Sequence, residues 1–345
     1  MRVSSTLLLD NAVAIVVLLA WLIYMIAANQ WALFATRWPV TLVMMAGGFI
    51  AGSTPMGGGV IAYPVMVLGL KRTPNEFRTF SLMMQSIGMT SASWKIVRSF
   101  KDHLRPLLLT SCICLSFFGY NIGYYLVQLS GNIVQTVYFT KMFILTVLLQ
   151  IYITYVHPPE RSLSLDLTLR QLPYIVPVTL IGGIATSMTG TGSDIWVYLF
   201  YRLMYNTEEI LTTNHTVIIM SATSIFAFYN GWIIQRDISE KLWQDWICAI
   251  PSVLIMAPVG AWVANRWFKQ SLWWQMYIYL LESSQMVVGF ALTISKAWET
   301  IAICLSMLGA SGLGFVGRYI WVDRKRILER QQQTSKDEKP LISEA

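Results

Sequence analysis

The chain has 345 residues, 55% of them hydrophobic and 12% charged, with mean hydropathy +0.53 and a formal net charge of +7. Soluble domains carry about 25% charged residues, so this composition excludes a water-soluble fold and indicates a multi-pass, all-α membrane protein. The cations sit in short stretches between apolar runs and form no single basic face, which excludes nucleic acid as a partner.

Apolar runs of about 20 residues predict membrane-spanning helices. They fall near 11–28, 79–97, 106–127, 133–156, 212–234, 244–264, 272–294 and 299–321. Polar punctuation separates them, as at 98–105, 157–171 and 235–244. The first run has no small-residue cleavage site after it and does not read as a signal peptide. Cys112, Cys114, Cys248 and Cys304 all lie in apolar segments without zinc or disulfide spacing, and read as reduced packing residues.

Two stretches break this pattern. Residues 40–70 and 174–205 are apolar but interrupted midway, by STPMGGG at 53–59 and by TSMTGTGSD at 186–194. Each half is about 13–16 residues, too short to cross the hydrocarbon alone. The expectation is a pair of half-helices meeting at a glycine-rich tip inside the membrane. Each broken stretch leads into a Thr/Ser/Asn-rich helix start, RTFSLMMQSIGMTSAS (78–93) and LTTNHTVIIMSATSIF (211–226), and two further spans follow. That is an internal repeat of some 130 residues. It divides the chain into an N-terminal helix and loop (1–39), a first repeat (40–156), a connecting loop (157–173), a second repeat (174–295), an extra helix (296–322) and a polar tail (323–345).

If both hairpins re-enter and the C-terminus is cytosolic, the first opens outward and the second inward, an inverted-topology repeat. Arg98, Lys101, Arg105, Arg161, Arg170, Arg266, Lys269, Arg324, Lys325 and Arg326 then lie inside. Arg37, Lys71, Arg72, Arg78, Arg236, Lys241 and Lys296 lie outside, so the positive-inside bias is modest and the cations at 71–78 oppose it.

An unwound backbone inside a bilayer needs protein or water for its N–H and C=O groups. Transporters use such breaks as binding sites, because half-helix N-termini aim free N–H groups and partial positive charge at an anion. Gly57, Gly58, Gly59, Gly190 and Gly192, with Thr191 between the last two, let the backbone approach a ligand closely. Small-residue helix packing explains a single such cluster better, but two at matching repeat positions favour a transport site.

The run Gly48, Gly52, Gly57, Gly58, Gly59 and Pro64, followed by Thr79 and Ser81, resembles the first signature of the sulfite exporter TauE/SafE family. Gly183, Gly190, Gly192, Thr213 and Asn214 resemble its second copy, and the resemblance covers about residues 40–295. It implies secondary transport of sulfite, thiosulfate, sulfonates or related small anions by two inverted repeats, with no catalytic chemistry and no cofactor. The second hairpin departs from the pattern where Ser193 and Asp194 follow a single G-T-G.

Asp194 reads either as a cap of the second half-helix or as a proton-coupling carboxylate. Thr79, Ser81, Thr213 and Asn214 would supply side-chain hydrogen bonds to substrate. His215 reads either as a substrate or proton ligand or as a hydrogen-bonded interfacial histidine. Lys95, Lys141 and Glu282 read as snorkelling or interior groups. Trp31, Trp38, Trp243, Trp246, Trp273 and Trp274 read as interfacial anchors.

Gly309-Ala310-Ser311-Gly312 matches the G-x-S-G pattern of rhomboid proteases, but only His215 lies near a span to activate a serine. There is no H-E-x-x-H or Walker A run, so a metalloprotease and a self-contained ATP-driven pump are unsupported. In the tail, Asp337 ahead of Leu341 and Ile342 resembles an acidic di-leucine signal for a sorting adaptor, which sends cargo to endosomal or lysosome-like membranes. The location therefore reads as the plasma membrane or an endosomal or lysosome-like one, with a cytosolic C-terminus. Oligomerisation is open. The remaining alternatives are a proton- or cation-coupled carrier of another small solute and a non-transporting scaffold or sorting receptor.

Overall fold

A computed structural model describes residues 9–53, 62, 65–129, 172–204, 207 and 209–263. The expected spans at 133–156, 272–294 and 299–321 lie outside the described residues. So do the tip Gly57–Gly59, Pro64, Lys141, Glu282, Ser311 and the tail with Asp337, Leu341 and Ile342.

The described chain is all-helical. Helices α1 (Ala12–Ala27), α2 (Leu33–Ser53), α3 (Pro74–Ser99), α4 (Pro106–Leu129), α5 (Leu172–Thr189), α6 (Ser193–Met204), α7 (Glu209–Tyr229) and α8 (Glu240–Val263) follow in order. A π-helical turn, Asn230–Gln235, extends α7. Among the described residues, four helices are long and apolar enough to cross a membrane: α2, α4, α7 with its π extension, and α8. At 21 residues, α2 is longer than the half-segment expected, because the helix runs through Pro39 instead of starting after it. The 26 residues of α3 would span about 39 Å. A capping box starts it, in which the Thr73 hydroxyl accepts from the Glu76 N–H and the Glu76 carboxylate accepts from the Thr73 N–H, with Pro74 at the first turn.

Packing contacts fix the relative directions. Arg37 meets Gln244, Thr41 meets Cys248 and Gly48 meets Val253, so α2 and α8 run parallel. Trp246 donates to the Met83 carbonyl and Gly88 faces Val253, so α3 runs the same way. Phe117 stacks on Phe226 and Asn230 donates to Asn121, so α4 and α7 are parallel. Thr179 donates to Cys112 and Gly123 abuts Ile184, which adds α5 to that direction. Between the two groups, Gln85, Thr90 and Ser93 of α3 meet Ser224, Ser221 and Val217 of α7, in descending order. The α3 and α7 helices are therefore antiparallel.

The apolar core follows the same partition. One cluster joins Val40 and Met44 of α2, Phe80 and Met84 of α3, and Ala249 and Val253 of α8. A second joins Cys112 of α4, Ile175 of α5, Val197 and Tyr201 of α6, and Ile219 of α7. Leu82, Tyr120, Met220 and Ala227 bridge them. Each group thus holds helices from both halves of the sequence: α8 packs on α2 and α3, while α4 packs on α5 to α7.

Close backbone approach makes this exchange, through small residues. A Cβ on Gly52 would overlap the Ala257 carbonyl, and one on Gly260 the Phe49 carbonyl. On the other side, a Cβ on Gly183 would overlap the Ser116 carbonyl, and one on Gly119 the Leu180 carbonyl.

Candidate functional site

The second glycine break is a tight turn between two packed helices. Here α5 ends at Thr189, Gly190 turns with φ 81° and Gly192 with φ 154°, and α6 starts at Ser193. Positive φ strains any residue with a Cβ, which explains glycine at these two positions. Space adds to the demand: a Cβ on Gly190 would lie 3.0 Å from the Arg78 carbonyl oxygen and 3.1 Å from the Ser81 Cβ. The turn therefore sits directly against α3.

Hydrogen bonds lock the turn. The Ser193 N–H donates to the Thr186 hydroxyl at 2.8 Å, and the two hydroxyls lie 2.9 Å apart. The Thr189 hydroxyl donates to the Thr191 carbonyl at 2.6 Å. Asp194, in the first turn of α6, accepts from the Gly192 N–H at 3.0 Å. Its carboxylate thus complements the positive end of α6 from within the chain. Thr186, fully buried, is not legible as a hairpin clasp from spacing alone.

Gln85 connects the turn to the helix seam. Its amide donates to the Gly190 carbonyl at 3.0 Å and to the Ser81 hydroxyl at 2.9 Å, while its Oε1 accepts from Ser224 at 3.3 Å. Sequence reasoning missed this residue, because a glutamine after two methionines in a long apolar run reads as a polar interruption. Beyond it the seam continues through Thr90 and Ser221, 2.9 Å apart, and Ser86, Ser93 and Thr223 are buried beside them.

Arg78 is the second residue that sequence reasoning misplaced. It was counted among exposed loop cations, yet it is 6% exposed. Its Nη1 donates to the Ser187 carbonyl at 3.1 Å, in the last turn of α5, where a cation also offsets the helix dipole. Its Nη2 donates to Asp237 at 3.2 Å, and the Tyr124 ring centroid lies 6.0 Å away. Burial pushes the Asp237 carboxyl above the ordinary range, an effect that Arg78 and its own backbone N–H oppose. Arg72 is buried as well, ion-paired with Asp245, which also faces Arg37 at 3.6 Å. These three arginines therefore do not count as free loop charges in a topology argument.

The other expected site residues are distributed as follows. Thr79 and Ser81 are buried on α3, with Ser81 at the Gly190 turn. Thr213, Asn214 and His215 lie on the first turns of α7, whereas the hairpin reaches α7 further along, through Thr186 at Met220 and through Gln85 at Ser224. His215 faces away from the turn: it packs edge-on against Tyr201, its Nδ1 is 2.9 Å from the Leu211 carbonyl, and its Nε2 accepts from the Arg105 N–H. Asn214 is 8% exposed and its Nδ2 has no hydrogen-bond partner. Lys95 is exposed. Trp31 and Trp38 are exposed, but Trp246 packs inward and holds the Met83 carbonyl instead of anchoring an interface. Among the described residues no cluster of three metal-ligating side chains occurs.

Comparison with known proteins agrees with this architecture. The family model for the sulfite exporter TauE/SafE matches residues 40–284, which include both glycine breaks and every helix from the middle of α2 to α8. No curated protein and no solved structure gives a significant match. A match over most of the chain, together with apolar helices long enough to span a membrane, identifies a multi-pass membrane protein that belongs to the sulfite exporter TauE/SafE family, a family of transporters of sulfur-containing anions.

Proposed function

We propose that the protein is a secondary transporter of a small sulfur-containing anion, sulfite, thiosulfate or an organosulfonate, working by alternating access between two inverted repeats. The observation that carries this reading is the Gly190 turn, seated against Ser81 and Gln85 of α3 at one end of a polar seam. The directions of packing support the inversion: α2, α3 and α8 run one way, and α4, α5 and α7 the other, so corresponding helices of the two halves oppose each other. One offset of 133 residues carries Gly57 onto Gly190, Gly59 onto Gly192 and Ser81 onto Asn214. On that symmetry Asn214 of α7 is the counterpart of Ser81 at the Gly190 turn, and both positions would border one substrate site. The unpartnered Asn214 amide supports this arrangement.

The same geometry supports re-entrance of the second hairpin. The turn lies beside residues 81–85, about 10–16 Å from the start of α3, well inside the length of a spanning helix. The two helix groups, each with its own core and joined along α3 and α7, would rock about that seam. Asp194 would cap α6 at rest or exchange a proton during the cycle, and the C-terminus would be cytosolic.

Substrate class is tested by thermal unfolding of the purified protein with sulfite, thiosulfate, methanesulfonate, sulfate and acetate. A ligand present at 100 times its Kd stabilises by about 2.7 kcal/mol. Stabilisation by the sulfur oxyanions and not by acetate is expected. Stabilisation by acetate alone would redirect the reading to another solute.

A further inference from the structure

The buried Arg78–Asp237 pair lies outside the residues that glycine spacing pointed to, and it touches the hairpin turn directly. Arg78 spends Nη1 on the Ser187 carbonyl and Nη2 on Asp237, while its Nε is buried without a hydrogen-bond partner. A guanidinium that is more than nine-tenths buried with an unspent donor has capacity for one more acceptor. Asp237, by contrast, keeps 29% of its side chain exposed and follows Arg236, which takes a left-handed turn at the end of the π segment. Its N–H bonds the Gly231 carbonyl, which fixes its backbone in the part-exposed segment between α7 and α8 while the Arg78 guanidinium is buried. The charged and titratable groups facing Asp237 are Arg78 from α3 and Tyr120 and Tyr124 from α4.

We propose that Arg78 is a substrate-binding residue of the transport site, and that the Asp237 carboxylate is a built-in competitor which the transported oxyanion displaces from the guanidinium. This rests on the transport reading above and names the cation that the helix ends alone do not supply. Several features support it. A guanidinium presents paired donors that match the oxygens of a sulfur oxyanion, which suits recognition of sulfite or a sulfonate. The Arg78 carbonyl borders Gly190, so the side chain is anchored where the turn would admit a ligand. The part-exposed position of Asp237 gives its carboxylate somewhere to go. A buried ion pair with one internal partner also prevents an unpaired charge from forming in the empty state. Because Asp237 is pushed towards the protonated form by burial, acidification weakens its hold and leaves Arg78 to the anion.

The test is binding of thiosulfate, whose charge is constant over about pH 5–8, to the purified full-length protein by isothermal titration calorimetry. For wild type, affinity rises as pH falls through the titration of Asp237. In Asp237→Asn, affinity at neutral pH is about tenfold tighter and its pH dependence is lost. Arg78→Gln loses binding, and combining it with Asp237→Asn restores none, because the two act on one guanidinium. Wild-type binding with an Asp237→Asn variant of unchanged affinity and pH profile overturns the proposal, as does normal binding by Arg78→Gln. Failure of the wild type to bind thiosulfate, sulfite or sulfate at any pH overturns the sulfur-anion reading along with it.

Discussion

Gln85 of α3 holds the carbonyl of Gly190 at 3.0 Å, across 105 residues of sequence, and so ties a long helix of the first half to the turn of the second. The same amide group bonds Ser81, and its oxygen accepts from Ser224 of α7. Three elements of the seam therefore depend on one side chain. Gln85→Ala leaves the Gly190 carbonyl without that donor, at a cost of about 1–3 kcal/mol. Thermal unfolding in detergent checks the loss. An unchanged midpoint would mean the turn is held by Thr186 and Asp194 alone.

Paired glycine contacts test the exchange of helices between the halves. Gly52→Val forces α2 away from the Ala257 carbonyl on α8, and Gly183→Val forces α5 away from Ser116 on α4. Overpacking of this kind costs about 1–3 kcal/mol. Both variants are expected to lose stability by similar amounts, since the two contacts are counterparts. Gly69→Val, where a Cβ meets only the Val65 side chain at 3.6 Å, serves as the tolerant control. A tolerated Gly52→Val, with Gly183→Val impaired, would remove the equivalence of the two interfaces.

Asn214 separates a ligand contact from a structural one. Its Nδ2 donates to nothing in the protein, so Asn214→Ala should change folding stability by less than about 1 kcal/mol. If the amide meets the transported anion, the same change weakens thiosulfate binding about tenfold, or roughly 1.4 kcal/mol. Calorimetry and thermal unfolding of one sample measure both. Lost stability with unaltered affinity would assign Asn214 to the scaffold.

Much of this organisation is legible in the sequence for simple reasons. Apolar runs report helices, so the expected spans at 106–127 and 244–264 correspond to Pro106–Leu129 and Glu240–Val263. The break at Gly190 is legible because an 18-residue helix followed by a 12-residue one needs a turn, and positive φ selects glycine there. What sequence reasoning lacked is long-range pairing. Arg78 sits at the polar start of a span and reads as a loop cation until Asp237, 159 residues later, and the end of α5 enclose it. Gln85 has the same history, since two of its partners, Gly190 and Ser224, lie 105 and 139 residues further along the chain. The packing of α8 on α2, and of α4 on α5, is likewise set by glycine faces whose partners no local pattern identifies. His215 shows the converse. Adjacent to Asn214 in sequence, it points to Tyr201 and the start of α4, away from the Gly190 turn.

The account stands most directly on counterflow of labelled thiosulfate into proteoliposomes carrying wild type or Gly190→Leu, each checked for helix content by circular dichroism. A leucine at Gly190 would project into the Arg78 carbonyl and Ser81 and fill the space beside the turn. The account predicts that wild type accumulates label against preloaded unlabelled thiosulfate, and that Gly190→Leu falls to the level of empty liposomes. Accumulation by Gly190→Leu at the wild-type rate would contradict a transport path through this turn, and no accumulation by wild type would contradict thiosulfate transport itself.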